Sequence, residues 1–335
     1  MNKTGIGVIG LGYAGKQHLD AYLKNPDVEV VMVSDASAET LASVCRQYKL
    51  EGNRDYREII KHPKVELISI CTPDYLHCAQ ALAAVMAGKH VFCEKPLATS
   101  LSDCEKIVAA VRKKKVKFLT GQVLRFTPLF LSLKKIVDSG TVGKPFFAES
   151  DYIHDIRPFL HGWRVNPQTA GDMILGGGCH PIDLLRWIVG EVQEVYAVTN
   201  KLALAKAPFP ADHMLLSLKF ANGAIGKVQI TVGCRRPYAL NLGVYGTKGT
   251  LLNNRLFTEN IPALEDFINL PLPTKAEYQY YDREIDELLK AIEEDREPSV
   301  NAADGAGTVA VCLAAIESAK KNQPVIVKKY QEKFA

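Results

Sequence analysis

Between residues 4 and 121 the chain alternates short, unbroken apolar runs with helical stretches, and no other feature narrows its folding as far. The runs are GIGVIG, EVVMVSD, LISICT, HVFCEK and KFLTG. Between them lie AGKQHLDAYLKN, AETLASVCRQY, LHCAQALAAVMAG and SDCEKIVAAVRKK. Strands without strict apolar–polar alternation are buried on both faces, and strands linked through helices run parallel. Residues 1–122 are therefore predicted to form a doubly wound α/β domain around a parallel sheet.

Past residue 122 the period changes. A helical stretch, LFLSLKKIVDSG, leads into longer alternating segments: KPFFAESDYIHDI, VQEVYAVTNKLAL, HMLLSLKF, AIGKVQITVG and LNLGVYG. Asn222-Gly223 separates two of them and is a strong hairpin signal. Residues 123–335 read as an α+β domain with a large, open, predominantly antiparallel sheet and helices on one face. A last apolar helix, at about 301–322, is expected to pack back on the first domain. No apolar run is read as long enough to span a membrane.

Composition excludes several classes. With 47% apolar and 23% charged residues and a net charge of +4, the chain resembles an ordinary globular protein. Its lysine runs (113–115, 320–321, 328–329) carry no interleaved aromatics, which disfavours nucleic acid. The eight cysteines are scattered without a CxxC pair, several inside apolar runs (Cys71, Cys93, Cys312), so a reduced, cytoplasmic setting is expected. The N-terminus enters a strand at once, so no signal peptide is expected. The histidines and acids show no metal-ligand spacing.

The first junction, GVIGLGYAGKQH, places Gly10, Gly12 and Gly15 in G-x-G-x-x-G spacing between a strand and a helix. In that context the glycines allow a tight turn, close approach to a pyrophosphate and helix–strand packing. Tyr13 and Ala14 lie within the same turn. Asp35, at the end of the second strand, can accept hydrogen bonds from a ribose diol and would repel a 2′-phosphate. Ala36 and Ser37 follow it, with no adjoining arginine, so NAD is preferred over NADP. A second candidate is Lys95 in VFCEKPLA, just past a buried strand and thus at the ligand-binding edge of an open sheet. It could assist deprotonation of a substrate hydroxyl, or be a surface charge. Pro96 would fix the turn, and a cis bond before it is possible.

Taken in order, GVIGLGYAGKQH, CTPDYLH, GKHVFCEKPLA and GGGCHPIDLLRW resemble the Gfo/Idh/MocA family of NAD(P)-dependent oxidoreductases, over nearly the whole chain. The resemblance implies a Rossmann domain holding the cofactor and a sugar, polyol or glycoside substrate on the second domain. It implies that Lys95 is the active-site lysine and that Thr72 and Pro73 lie beside the nicotinamide half. His77 and Glu94 complete the expected cofactor-side set. It also implies a homodimer or homotetramer formed through the second domain's sheet.

The segment Gly171–Trp187 corresponds to the family pattern G-G-x-x-x-D-x-G-x-H-x-x-D, with His180 and Asp183 in the last two named places. The usual catalytic aspartate position holds Gly176, and Asp172 does not fill it. The glycine run is expected to be a substrate-side turn, with His180 at a helix cap and Pro181 first in the helix. His180 would then exchange the substrate's hydroxyl proton, or merely cap the helix. Arg125, Asp183, and in DYIHDIRPFLHGWR Tyr152, His154, Asp155, Arg157, His161, Trp163 and Arg164, are candidate pocket residues. Alternation puts Tyr152 and His154 on one face. An NAD-dependent sugar or polyol dehydrogenase is the leading reading. An NAD-recycling glycosidase, lyase or epimerase working through a transient keto-sugar is the alternative, and a non-enzymatic sensor comes third.

Overall fold

The computed structural model describes residues 3–272 and 280–328; Lys329, in the last lysine run, lies outside them. The chain divides into two compact units. The first runs to Val123 and takes in residues 280–309, and the second takes residues 124–272 and 310–328.

In the first unit, β1 (Thr4–Ile9), α1 (Tyr13–Lys24), β2 (Val28–Ser34), α2 (Ala38–Tyr48), β3 (Gly52–Asn53), α3 (Tyr56–Lys61), β4 (Leu67–Ile70), α4 (His77–Met86), β5 (His90–Glu94), α5 (Leu101–Lys114) and β6 (Phe118–Gly121) follow one another. The sheet order is β3-β2-β1-β4-β5-β6, all parallel. Every residue of β4 and β6 is buried, which explains their unbroken apolar character. Ser37, Asp55 and Ser100 cap α2, α3 and α5 through their side chains.

In the second unit, α6 (Pro128–Asp138), β7 (Pro145–Ile153), α7 (Cys179–Val189), β8 (Val192–Asn200), β9 (His213–Phe220), β10 (Ile225–Thr231), β11 (Ala239–Gly246), β12 (Gly249–Leu252), β13 (Arg255–Thr258) and β14 (Ile268–Asn269) build most of the architecture. The sheet has nine strands, ordered β14-β13-β12-β11-β7-β10-β9-β8-β15, where β15 is Val325–Ile326. Within this sheet, among the described residues, only β7 and β10 pair in parallel. The β9–β10 hairpin turns at Asn222-Gly223, with Gly223 at φ +89°. The buried helix α7 packs on β7.

Two helices complete the chain, α8 (Tyr281–Glu293) in the first unit and α9 (Ala302–Lys321), whose first eight residues belong to the first unit and the rest to the second. Helix α9 is long and apolar enough to pass the test for a membrane span by length and composition only. It is 61% buried inside the protein, as core helices are. The cysteines form no disulfide.

Candidate active site

The turn between β1 and α1 fits a dinucleotide. Gly10 has φ +90°, and a Cβ there would lie 2.7 Å from the Cys71 carbonyl carbon. At Gly15 it would lie 1.8 Å from the Gly10 oxygen, whereas at Gly12 it would meet nothing within 4 Å. Two glycines thus bring strand and helix together, and the exposed third leaves the space a pyrophosphate needs. Helix α1 starts at Tyr13 with no side-chain cap and no acidic residue in its first turn, a polarity suited to an anion. Asp35 is held in place: Oδ2 accepts from the Leu11 N–H and Oδ1 from the Ser37 N–H, both at 2.8 Å. Each oxygen keeps a lone pair for a ribose hydroxyl.

At the end of β5, Glu94 is buried and Lys95 half-buried, and the Lys95–Pro96 bond is cis. Glu94 Oε1 meets His18 Nε2 at 3.1 Å, and Oε2 accepts from the Lys95 N–H at 3.2 Å. His18 Nδ1 lies 2.8 Å from Ser69 Oγ. Burial opposes the charge on Glu94, but the His18 hydrogen bond and the nearby Lys95 outweigh it and hold the carboxyl at about 2. Burial likewise opposes charge on His18, yet Cys71 and Glu94 raise it to about 10. Glu94 therefore supports the Lys95 turn from beneath. The His77 ring is buried between two backbone carbonyls, Pro96 at 2.7 Å and Thr72 at 2.9 Å. It braces the Thr72–Pro73 segment against the lysine turn. Thr72 Oγ1 donates to Gln80 at 2.6 Å.

In the second unit the glycine run is not a turn. Ile174–Gly178 form a π-helical turn that runs directly into α7. His180 is accordingly the second residue of α7, behind Cys179, and does not cap it. The cause is packing against the sheet. A Cβ at Gly177 would lie 2.6 Å from the Tyr152 ring, and one at Gly178 would lie 2.5 Å from Ile230. At Gly176, exposed, it would meet nothing within 4 Å. Asp172 instead heads the turn, accepting from the Ile174 N–H at 3.1 Å, and burial raises its pKa.

Tyr152 and His154 share a face, as alternation requires, with the Tyr152 hydroxyl 2.9 Å from His154 Nδ1. The Tyr152 ring stacks on His180 at 6.1 Å, and Tyr238 lies edge-on to both Tyr152 and His154. Burial, with a contribution from Cys179, raises the Tyr152 phenol, and burial lowers His154. At neutral pH a phenol therefore faces a neutral imidazole, and can donate to it.

Residues 4–122 match the family model described as "Oxidoreductase family, NAD-binding Rossmann fold", and residues 130–252 match the GFO/IDH/MocA C-terminal domain. The chain belongs to the Gfo/Idh/MocA family. It is 30% identical over 341 residues to an uncharacterized oxidoreductase, YrbE, of Bacillus subtilis (strain 168), covering 98% of both chains. It is 29% identical over 335 residues to a myo-inositol 2-dehydrogenase of Thermotoga maritima, covering 96% of this chain and 97% of the relative. A solved levoglucosan dehydrogenase, in complex with NADH and L-sorbose, superposes with a TM-score of 0.89 at 27% identity, over 98% of this chain and all of the other. This Gfo/Idh/MocA protein is an NAD-dependent oxidoreductase.

The structure treats the other sequence candidates unevenly. Arg125 and Asp183 engage each other: Nε and Nη2 of the arginine donate to the two carboxylate oxygens, each at 2.8 Å. Both side chains are buried, and the guanidinium lies over Trp187. Asp155 and Arg157 form a pair at 2.7 Å that also reaches the Gly233 carbonyl. Arg164 stacks over half-buried Trp163 at 4.2 Å, and His161 is exposed.

Sequence reasoning passed over His18, although it stands three residues after Gly15 on the glycine-loop helix. It also passed over Tyr238 and over Arg54. The guanidinium of Arg54 donates through Nε and Nη2 to the carbonyl of Ala36, at 3.2 and 3.1 Å. An arginine does reach the residue that follows Asp35, brought from eighteen residues further along.

Proposed function

We propose that the protein oxidises a secondary alcohol of a sugar, polyol or glycoside. The observation that carries this reading is Lys95, half-buried on a braced cis turn at the carboxyl end of β5, in the same unit as the glycine cradle. The relatives named for myo-inositol and levoglucosan support the substrate class. Bound NAD supplies the acceptor for the two electrons leaving the substrate carbon.

The residues divide the remaining work. Gly10, Gly12, Tyr13, Ala14, Gly15 and Asp35 hold the dinucleotide, with Thr72 and Pro73 toward its nicotinamide half, braced by His77. His180 takes the hydroxyl proton as the alcohol becomes a carbonyl, a role worth roughly 10²–10⁴-fold in rate, and Lys95 acts electrostatically on the same hydroxyl or shares its proton. Tyr152, His154, Trp163 and Arg164 offer aromatic faces and hydrogen bonds to a polyhydroxylated ring, while Arg125 and Asp183 stiffen the helix that carries His180.

The test is NAD with a panel of polyols, sugars and glycosides, following nicotinamide reduction and analysing products. A ketone with stoichiometric reduced cofactor, lost in Lys95→Ala and His180→Ala, is expected. A cleaved or epimerised sugar without net reduction would overturn a net dehydrogenase.

The open sheet face of the second unit supports a homodimer or homotetramer. Val198 and Leu215, partners in register, are exposed. Ile225, also exposed, pairs with Phe147. A monomeric mass in solution would refute it. A cytoplasmic location goes with this reading, and localisation of a tagged chain checks it.

A further inference from the structure

The corner of the dinucleotide site that faces the adenosine ribose contains a charge the local sequence hides. Strand β3 pairs in parallel with β2, with Val33 opposite Gly52 and Ser34 opposite Asn53. Arg54 directly follows the last paired residue of β3, as Asp35 directly follows that of β2. The guanidinium then reaches across to the Ala36 carbonyl. Those bonds use Nε and one donor of Nη2, leaving further N–H donors of the five for a ligand. Arg54 is exposed and makes no ion pair among the described residues. Its acidic neighbours Asp55 and Glu58 are engaged by Arg57 and Lys61. Asp35, by contrast, is fixed by the Leu11 and Ser37 amides.

We propose that Arg54 is a specificity-determining residue for the cofactor. It takes the 2′-phosphate of NADP(H), so that the site prefers NAD(H) but accepts NADP(H) as a weaker second cofactor. Asp35 accepts the free 2′-hydroxyl and repels a phosphate there. Arg54, one strand away, offers charge-assisted hydrogen bonds to that phosphate and little that the plain ribose requires. The discrimination is a balance between the two side chains, and a single substitution on either side shifts it. The proposal rests on the dinucleotide site described above.

The experiment is equilibrium titration of the purified protein with NADH, NADPH, 5′-AMP and adenosine 2′,5′-bisphosphate, read by nucleotide fluorescence or calorimetry. Wild type should bind NADH more tightly than NADPH, with NADPH still saturable. Arg54→Ala should weaken NADPH and the bisphosphate about 10-fold while leaving NADH and 5′-AMP within about 2-fold, and Arg54→Lys should restore part of the loss. Asp35→Ser should strengthen NADPH, and adding Arg54→Ala should remove the gain. Equal weakening of NADH and NADPH in Arg54→Ala would reduce the residue to a brace for the Ala36 loop and overturn the proposal. So would an NADPH affinity indifferent to Arg54, or no NADPH binding by wild type. Absence of NADH binding in wild type would overturn the dinucleotide reading along with it.

Discussion

The Tyr152 ring lies nearly parallel to that of His180, 22° apart with centroids at 6.1 Å, and the same ring fills the space a side chain at Gly177 would need. The position of the candidate proton-exchanging histidine is thus tied to one glycine and one tyrosine. Gly177→Ala must push the ring or the helix aside, and overpacking of this kind costs about 1–3 kcal/mol. A lower thermal midpoint together with a loss of kcat is expected. Gly176→Ala, with open space at its Cβ, should be neutral or slightly stabilising, since alanine favours helix. Thermal melts and steady-state rates of the two variants check the contrast.

Asp183 and Arg125 form a bidentate pair with side chains 1% and 7% exposed. Removing one partner takes away the close compensation of the other buried charge, at a cost of up to about 3–5 kcal/mol. Asp183→Asn should therefore lower the urea midpoint of unfolding sharply. Replacing both partners, as in Arg125→Met with Asp183→Leu, should recover part of that loss. A variant that kept its stability and changed only KM would show that Asp183 meets substrate instead of serving the helix.

Glu284, on α8, is fully buried, and neither carboxyl oxygen has a hydrogen-bond partner among the described residues. Burial, reinforced by Glu94, raises its pKa well above the ordinary value. The folded state therefore holds this proton where the unfolded chain has released it. Stability from this group is complete below the ordinary carboxylate range and is lost as pH rises through the raised folded pKa. Glu284→Gln should be more stable than wild type at pH 8, on the order of 1 kcal/mol, and equal to it near pH 4. The His18–Glu94 pair has different limits. Its His18 part weakens from about 6.5 upward toward 10, and its Glu94 part weakens below about 4.5 toward 2. Denaturation midpoints across pH 4–10, for wild type and Glu284→Gln, separate these contributions.

How much the sequence revealed follows from the range of the interactions involved. The five principal strands of the first unit were legible because burial on both faces writes itself into consecutive residues. The two-residue β3 was not, since nothing in so short a run distinguishes it from a loop. Helix α8 was legible and passed over, because Ile285, Leu288 and Ala291 repeat along one buried face. The burial of Glu284 just ahead of them was not, because only the groups packed against it decide that.

The sequence by itself determined the glycine cradle, Asp35 at the end of β2, the Lys95–Pro96 turn and the shared face of Tyr152 and His154. Local spacing specifies each of them, although the atoms that forbid a Cβ at Gly10 come from Cys71 and Thr72. Tertiary structure alone decided that the glycine run is helical, since the atoms that forbid a Cβ at Gly177 and Gly178 come from β7 and β10. It alone joined Arg125 to Asp183, fifty-eight residues apart, and His18 to Glu94, seventy-six apart. The pairing of β3 with β2 brought Arg54 to the Ala36 carbonyl, next to Asp35. Side-chain type announces what a residue can do, but its partner is fixed only when the chain has folded.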